Sequence, residues 1–431
     1  MTKGTFFKIC FVLMFIFGTS NYILSQNIVF KNMVYDKNIK TVQIYPQEQI
    51  NYSPNFSLKP PVISLHENYP LTLAFDYLSN EFLDFRCKVV HCNANWTSSS
   101  LNEIEFLSEY NDFPIQDFKP SFATKIGYYH YSVSIPKTKV SGNFIVYVYR
   151  NKDENDSVLV KRFQVFENKM RIIQAKVLPS NDPIFRTNCQ EVNFGINFAG
   201  HQILNPQKDL KVYIRQNFRD DKMVKLPEPF MVNNSSKIIE YQFFENENLF
   251  QGGNEFRMVD LRSTQIRLKN VAGIRQDEDI TKVFVRKDDV YTRLTYVQSP
   301  DFDGMQAIDN YETHRGETEA DYIEANFELN SQKMYDGKVF INGIFNDWQL
   351  NEKNEMFFDP ISQNYKCQLL LKQGVYNYHF SFQKNDHSID EHLIDNSYAQ
   401  TQNTYEIFVF HQPIGARVQY LLGYQLLTPT N

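Results

Sequence analysis

Apolar and polar positions alternate through most of the chain, and this period of two predicts β-strands. In residues 192–198 the apolar side chains fall at every second position, and residues 210–215 repeat the pattern. Residues 144–149 are apolar on both faces, which is typical of a central strand in a β-sandwich. Turn sequences such as Ser141-Gly142-Asn143 and Asp336-Gly337 separate the runs. Many short strands divided in this way indicate β-sandwiches.

One helix is predicted between strands in the first third of the chain. The run Ser98-Ser99-Ser100 offers N-caps, and Ser100 with Glu103 has the spacing of a capping box. Apolar residues follow at intervals of three from Leu101 to Leu107. The pattern predicts a helix of about ten residues.

The length of 431 residues indicates about three domains at roughly 150 residues per domain. Residues 162–167 have the pattern of the last strand of a first domain, and a polar stretch at 309–318 marks a second break. The predicted units are therefore 26–168, 169–312 and 318–428. The predicted fold class is all-β, with three consecutive immunoglobulin-like or early-set β-sandwiches and one short helix in the first.

The N-terminus has the pattern of a secretory signal peptide. Lys3 and Lys8 precede an apolar run at 9–17, and small residues follow before Gln26. We expect cleavage after Ser25, which predicts an exported protein. No later stretch approaches the roughly 20 apolar residues of a membrane span, so no transmembrane segment is expected.

The amino-acid composition and net charge favour a β-sheet protein and exclude some classes of binding partner. Aromatic residues make up 15% of the chain, which favours β-sheet. The formal net charge is −6, which argues against binding to nucleic acid or anionic lipid.

Four cysteines remain after residue 25, too few for a disulfide framework. Cys87 and Cys92 are separated by an odd number of residues, so a regular strand places them on opposite faces. Free, mostly buried thiols are predicted for Cys87, Cys92, Cys189 and Cys367.

The chain contains no catalytic signature, and no catalytic residue, metal or cofactor is predicted. Residues 299–304 imitate the start of a calcium loop, but Asn310 stands where the bidentate Glu is needed. The His and Asp residues of 386–392 could supply metal ligands, although an acidic exposed loop is the preferred interpretation. Glu317, Glu319 and Asp321 share one face if residues 317–329 are extended, which keeps an exported hydrolase open as a minor alternative.

The C-terminal unit resembles the early-set modules that bind glycogen and starch, through residues 337–348 and 371–380. Those modules stack a sugar on a pair of Trp side chains. Only Trp348 matches, since residues 384–387 stand where the second Trp is expected. Carbohydrate binding is therefore the alternative function, and a core position is preferred for Trp348.

An ordered set of phrases resembles the type IX secretion system plug proteins. The phrases run across nearly the whole chain and are, in order, residues 91–96, 128–131, 141–144, 252–257, 318–322, 372–378 and 417–423. Departures are local, such as Asn95 in place of an acidic residue and Cys189 in place of Gln.

The resemblance implies a non-enzymatic periplasmic protein of three immunoglobulin-like domains. It would dock on the periplasmic mouth of a very large outer-membrane β-barrel translocon and close its pore when no cargo is in transit. No small-molecule substrate or cofactor is expected, and the interface residues do not follow from the resemblance.

The motif residues are predicted to be structural. Trp96 is expected in the core, Gly253 in a turn, and Arg257 paired with Glu255 or a backbone carbonyl. The full set is His91, Cys92, Trp96, Gly253, Asn254, Glu255, Arg257, Glu319, Asp321 and Trp348.

Overall fold

The computed structural model describes residues 28–47, 59–229, 231–291 and 295–428. The predicted signal peptide at 1–25 lies outside the described residues. Strands dominate, and each of the α-helices in this part of the chain has only four residues. The predicted all-β class is confirmed.

The elements fall into three units, which we call the first, middle and third. The first unit contains β1 (Met33–Val34), β2 (Ile39–Pro46), β3 (Val62–Ser64), β4 (Leu71–Tyr77), β5 (Phe85–Cys92), α1 (Glu103–Phe106), β6 (Phe113–Pro114), β7 (Asp117–Pro120), β8 (Tyr129–Ser134), β9 (Gly142–Arg150) and β10 (Ser157–Phe166). The next elements are β11 (Arg171–Pro179), β12 (Cys189–Asn197), α2 (Pro206–Asp209), β13 (Leu210–Gln216), β14 (Met223–Lys225), β15 (Met231–Asn233), β16 (Ile238–Tyr241) and β17 (Leu249–Gln251). They are followed by β18 (Arg257–Asp260), β19 (Val271–Gln276), β20 (Thr281–Val285), β21 (Asp288–Asp289), β22 (Gln306–Ile308), β23 (Tyr322–Asn330), β24 (Gly337–Asn342), β25 (Glu355–Asp359), β26 (Asn364–Lys372), β27 (Gly374–Lys384), β28 (Ile389–Asp390) and α3 (His392–Asp395). The last strands are β29 (Tyr405–His411) and β30 (Tyr420–Leu427).

The first unit is a sandwich of a six-stranded sheet, β1-β10-β9-β5-β6 with β3, on a four-stranded sheet, β2-β4-β8-β7. The inward side chains of both sheets form one apolar core that includes Leu73, Phe75, Val89 and Phe144. The alternation of the sequence predicted these inward positions because successive side chains point to opposite faces of a strand.

The middle unit combines strands from two distant parts of the chain. A five-stranded sheet (β11, β12, β15, β16 and β17) faces a four-stranded sheet of order β14-β13-β29-β30. In this second sheet β13 pairs with β29 over seven residues, from Leu210 with His411 to Gln216 with Tyr405. The middle unit is therefore completed by the C-terminal strands.

The third unit is inserted in the chain between β17 and β29. Its strands β18 to β28 form one set of eleven, in which β18 and β22 pair with β27 and β20 pairs with β23. Strands before residue 312 thus belong with strands after residue 318, and β29 and β30 belong with the middle unit. The predicted boundaries 169–312 and 318–428 are wrong at this point, because strand pairing here is not local in sequence.

The predicted helix is shorter than expected and begins later. The helix α1 has four residues, its N-cap is Asn102, and the Glu105 carboxylate accepts a hydrogen bond from the Asn102 backbone N–H at 2.7 Å. The box predicted for Ser100 and Glu103 is wrong by two residues. The helix ends at Phe106, and the C-cap residue Leu107 forms an isolated β-bridge with Thr138.

The cysteines lie as predicted. Cys87, Cys92, Cys189 and Cys367 are all free and buried. Cys87 packs in the core of the sandwich and Cys92 in a cluster on the other face of the same sheet. Burial raises the pKa of both thiols to about 12, so neither is a reactive thiolate.

Among the described residues, no helix has the length and apolar character needed to cross a membrane.

Candidate functional site

Most of the motif segments lie where the units meet. Residues 317–321 contact the first unit, residues 252–257 connect the middle and third units, and residues 417–423 contact the first unit from the middle one. We take these contacts between the units as the candidate functional site.

The joint between the first and third units centres on Asp76 of β4, which is fully buried. Its carboxylate accepts from Lys372 Nζ at 2.7 Å and from the Tyr322 hydroxyl at 2.7 Å, both of the third unit. His130 of the first unit lies 2.7 Å from the other carboxylate oxygen. Although burial alone raises the pKa of Asp76, the Lys372 ammonium and His130 hold it below its ordinary value.

The segment 317–321 surrounds this centre. Lys372 Nζ donates to the Glu317 carbonyl at 2.9 Å, and its ammonium lies 4.3 Å from the centre of the Tyr128 ring. The Tyr128 hydroxyl donates to the Ala320 carbonyl at 2.8 Å. Asp321 accepts from the backbone N–H of Lys125 at 3.0 Å. The first unit is therefore bound to the third by a buried ion pair and by the hydrogen bonds that surround it.

The three carboxylates considered for hydrolysis do not share a strand face. Glu317 and Glu319 lie in turns before β23 begins at Tyr322, so the expected extended segment is wrong over these positions. Glu317 pairs with Lys119 at 3.0 Å and Glu319 with Arg315 at 2.8 Å. Each carboxylate is thus used in a structural contact.

The segment 252–255 is one of two chain crossings between the middle and third units, and the crossing at 396–404 lies beside it. The Gly253 carbonyl accepts from Tyr398 N at 2.8 Å, and the Gly252 carbonyl accepts from Asn403 Nδ2 at 2.7 Å. The side chain of Asn254 donates to the Asp395 carbonyl at 2.9 Å. Gly253 has φ +62, a left-handed backbone conformation that favours glycine.

Arg257 holds the third unit next to this crossing. Its guanidinium donates to Asp395 Oδ1 at 2.8 Å, to Asp288 Oδ1 at 2.7 Å and to the Asp289 carbonyl at 2.7 Å. The backbone carbonyl confirms one of the two predicted partners. The other, Glu255, is wrong, because that carboxylate accepts instead from the Tyr296 hydroxyl and from Gln402 N.

The calcium-like sequence at 299–304 forms a turn at the same joint. Asp303 accepts from the Thr404 hydroxyl at 2.7 Å, and the Asp301 carboxylate accepts from the backbone N–H groups of Phe256 and Asp303. Burial, reinforced by the nearby Glu255 and Asp303 carboxylates, raises the pKa of Asp301 to about 7.

Trp348 of the third unit is half-buried at the joint with the middle unit, so the predicted core position is wrong. The Arg219 guanidinium of the middle unit lies 4.3 Å from the ring centre, and Phe256 and His379 contact the ring at centroid distances of 5.5 and 5.3 Å. Arg219 is itself held by Glu391 at 2.6 Å. One face of the Trp348 ring is thus occupied by a guanidinium.

His91, Cys92 and Trp96 pack inside the first unit. His91 lies under Gly142 and contacts Phe144 at 4.9 Å between ring centroids, and burial lowers its pKa to about 4. Trp96 is 8% exposed and carries the Arg162 guanidinium 4.2 Å above its ring, which confirms the predicted core position.

The residues considered for metal binding at 386–392 do not converge. Asp386 and Asp390 accept from backbone N–H groups of their own turns, and Glu391 pairs with Arg219. Within the described ranges, no group of three or more His, Cys, Asp or Glu side chains is arranged to hold a metal ion.

The strongest joint residues were not singled out from the sequence. Asp76 and Lys372 are far apart in the chain, and each looks like an ordinary surface charge in an alternating strand. Lys372 opens one of the motif phrases and Tyr128 another, so the phrases marked the joint without indicating its chemistry.

Comparison with known proteins is consistent with this architecture. The family model described as "Type 9 secretion system plug protein 1st domain" matches residues 39–167, which is most of the first unit. A crystal structure of a hypothetical protein from Parabacteroides merdae is similar at 30% sequence identity and a TM-score of 0.86, covering 94% of this chain and 100% of that one. No curated protein matches the chain significantly.

The match of the first unit and the similarity of the whole fold lead to one assignment. The protein is a component of the type IX secretion system, and the chain belongs to the family of type 9 secretion system plug proteins.

Proposed function

We propose that the protein resides in the periplasm, docks on the periplasmic mouth of the large outer-membrane translocon barrel and closes its pore when no cargo is present. A barrel wide enough for folded cargo leaves an aqueous channel. Such a channel leaks periplasmic solutes unless something fills it. Steric obstruction requires bulk and a fixed shape, and it requires no catalytic residue.

The observation that supports this proposal most strongly is the way the units are joined. The third unit is bound to the first through Asp76 and Lys372, and to the middle unit through the hydrogen-bonded crossings at 252–255 and 396–404. A protein whose units are fixed to one another keeps one shape when it is docked on a pore. Flexibly linked domains can move relative to one another and leave gaps.

The direct test is affinity purification of the tagged, full-length protein from envelope membranes in mild detergent at low salt, followed by mass spectrometry. We expect a very large outer-membrane β-barrel as the main partner, because a stable interface buries at least about 1,000 Å² and survives purification. An equally tagged periplasmic protein of similar size is the control. Recovery of soluble proteins alone would contradict docking.

A further inference from the structure

A cleft of about 520 Å³ lies between the first and third units, beside the Asp76 centre. One wall is the start of the first unit, residues 33–42, and the other is formed by residues 344–354 and 368–372. Tyr322 and Tyr376 also line it. A volume of this size accommodates several residues of a peptide.

The cleft is basic although the chain as a whole has a net charge of −6. Five lysines and two aspartates line it, which gives 5 − 2 = +3. The charged residues are Lys37, Lys40, Lys161, Lys353, Lys372, Asp36 and Asp347.

Ion pairs account for only part of this charge. Asp347 pairs with Lys161 at 2.5 Å, Asp76 neutralises Lys372, and Asp36 pairs with Arg150 at 2.6 Å. Within the described part of the chain, Lys37, Lys40 and Lys353 have no carboxylate partner.

Lys40 is aimed into the cleft by an irregularity of β2. The pairing of β2 with β4 shifts between Lys40 and Gln43, and Thr41 has φ +49, as in a β-bulge. A bulge re-aims neighbouring side chains, and the Thr41 hydroxyl reaches the Tyr322 hydroxyl at 2.7 Å. Lys40 and Thr41 therefore both face the third unit.

Lys353 comes from the opposite wall. Its backbone N–H donates to Asn351 Oδ1 at 2.9 Å, in a turn anchored by the buried side chain of Asn354. Burial and the nearby Lys353 ammonium both lower the pKa of Lys40. Lys40 and Lys353 thus line opposite walls of the same cleft, and an anion between them would be attracted to both ammonium groups.

The rest of the lining favours a peptide over a bare inorganic anion. Apolar side chains such as Ile344 and Leu370 line the cleft together with the amides Asn346, Asn351 and Gln368. Amide side chains can form hydrogen bonds with the backbone of a bound peptide. Apolar side chains can pack against apolar residues that neighbour an acidic residue of that peptide.

We propose that this cleft binds an acidic segment of a partner polypeptide, whose carboxylates lie between Lys40 and Lys353. The proposal goes beyond pore closure and does not depend on it, since it concerns the isolated protein and a peptide.

The test is fluorescence anisotropy of a labelled decapeptide of alternating Glu and Leu, titrated with the mature chain. We expect saturable binding that weakens by roughly tenfold in the Lys40→Gln/Lys353→Gln variant. The matched control is Lys333→Gln/Lys384→Gln, which removes the same charge from exposed positions outside the cleft and should bind like the wild type. The exposed Lys353→Gln change alone is not expected to disturb folding and should weaken binding by an intermediate factor.

Equal affinity of the cleft variant and the control would overturn the proposal. So would equally tight binding of a peptide of alternating Lys and Leu. Binding of pyrophosphate at the cleft without any binding of the Glu–Leu peptide would also overturn it, because the ligand would then be an inorganic anion.

Discussion

The two joints of the third unit are built on different principles. Its joint with the first unit depends on one buried carboxylate, Asp76, to which Lys372 and Tyr322 both donate. Its joint with the middle unit is distributed over backbone groups of 252–255 and 396–404, with Arg257 beside them. The first joint is centred on one buried ion pair with hydrogen bonds around it, and the second consists of many hydrogen bonds and close backbone packing.

The difference follows from how each joint is connected. The middle and third units share two chain crossings, so covalent continuity already holds them together. The first unit reaches the third only through non-covalent contact, and a buried ion pair there fixes geometry as well as contributing energy. The single-centre joint should therefore respond most strongly to one substitution.

The largest effect is expected for Asp76→Ala. It leaves the Lys372 ammonium, in a residue that is 1% exposed, without its carboxylate partner, and breaking a buried pair typically costs about 3–5 kcal/mol. Urea unfolding should show the loss. The double variant Asp76→Ala/Lys372→Met should recover part of the lost unfolding free energy. No recovery would show that the unpaired Lys372 ammonium is not the cause of the loss.

Gly252→Ala should have the next largest effect, in the distributed joint. A Cβ at this position would lie 2.0 Å from the Tyr398 carbonyl oxygen, so the two crossings must move apart, at about 2–3 kcal/mol. Gly273→Ala is the matched control, because its Cβ would meet Phe284 at an ordinary 3.7 Å. Equal thermal midpoints of the two variants would argue against close packing of the crossings.

Arg257→Lys should destabilise the third unit next to this joint by about 2 kcal/mol. The lysine keeps the charge but cannot reach both Asp288 and Asp395 as the planar guanidinium does. Urea unfolding of this variant beside Lys333→Arg, an exposed exchange of the same two residue types, checks the expectation. A loss of unfolding free energy no larger than that of the control would mean that the planar geometry of the Arg257 guanidinium is unimportant.

The smallest effect is a pH dependence from Asp301. Because its pKa in the folded protein is raised to about 7, the folded state holds a proton that the unfolded state has already lost above its ordinary pKa. Stability from this group therefore falls as pH rises from the ordinary pKa of Asp to about 7.

Asp301→Asn removes this slope. At pH 8 the variant should be more stable than the wild type by about 1 kcal/mol, and the difference should shrink or reverse at pH 5. Thermal midpoints at the two pH values measure it. A difference that does not change with pH would contradict the raised pKa.

Strand positions were predictable from the sequence because alternation is a property of neighbouring residues. The runs at 192–198 and 210–215 became β12 and β13, and the doubly apolar run at 144–149 lies in β9. The helix was overestimated because Leu107 continued the apolar spacing, while its backbone bridges to Thr138.

Unit boundaries and joint chemistry were not predictable in this way. Arg215 of β13 pairs with Glu406 of β29, 191 positions away, and no local pattern marks that partnership. The same holds for Asp76 with Lys372 and for Arg257 with Asp395. Partners so far apart in sequence are chosen by the packing of whole sheets, which the period of a single strand does not encode.

Permeability of the outer membrane tests the central claim most directly. Uptake of a small dye that cannot otherwise cross should be compared in cells with and without the gene while cargo export is idle. Uptake should be clearly faster without the gene, because the pore is then open, and the wild-type protein should restore slow uptake. Equal uptake in the two strains would contradict closure of the pore by this protein.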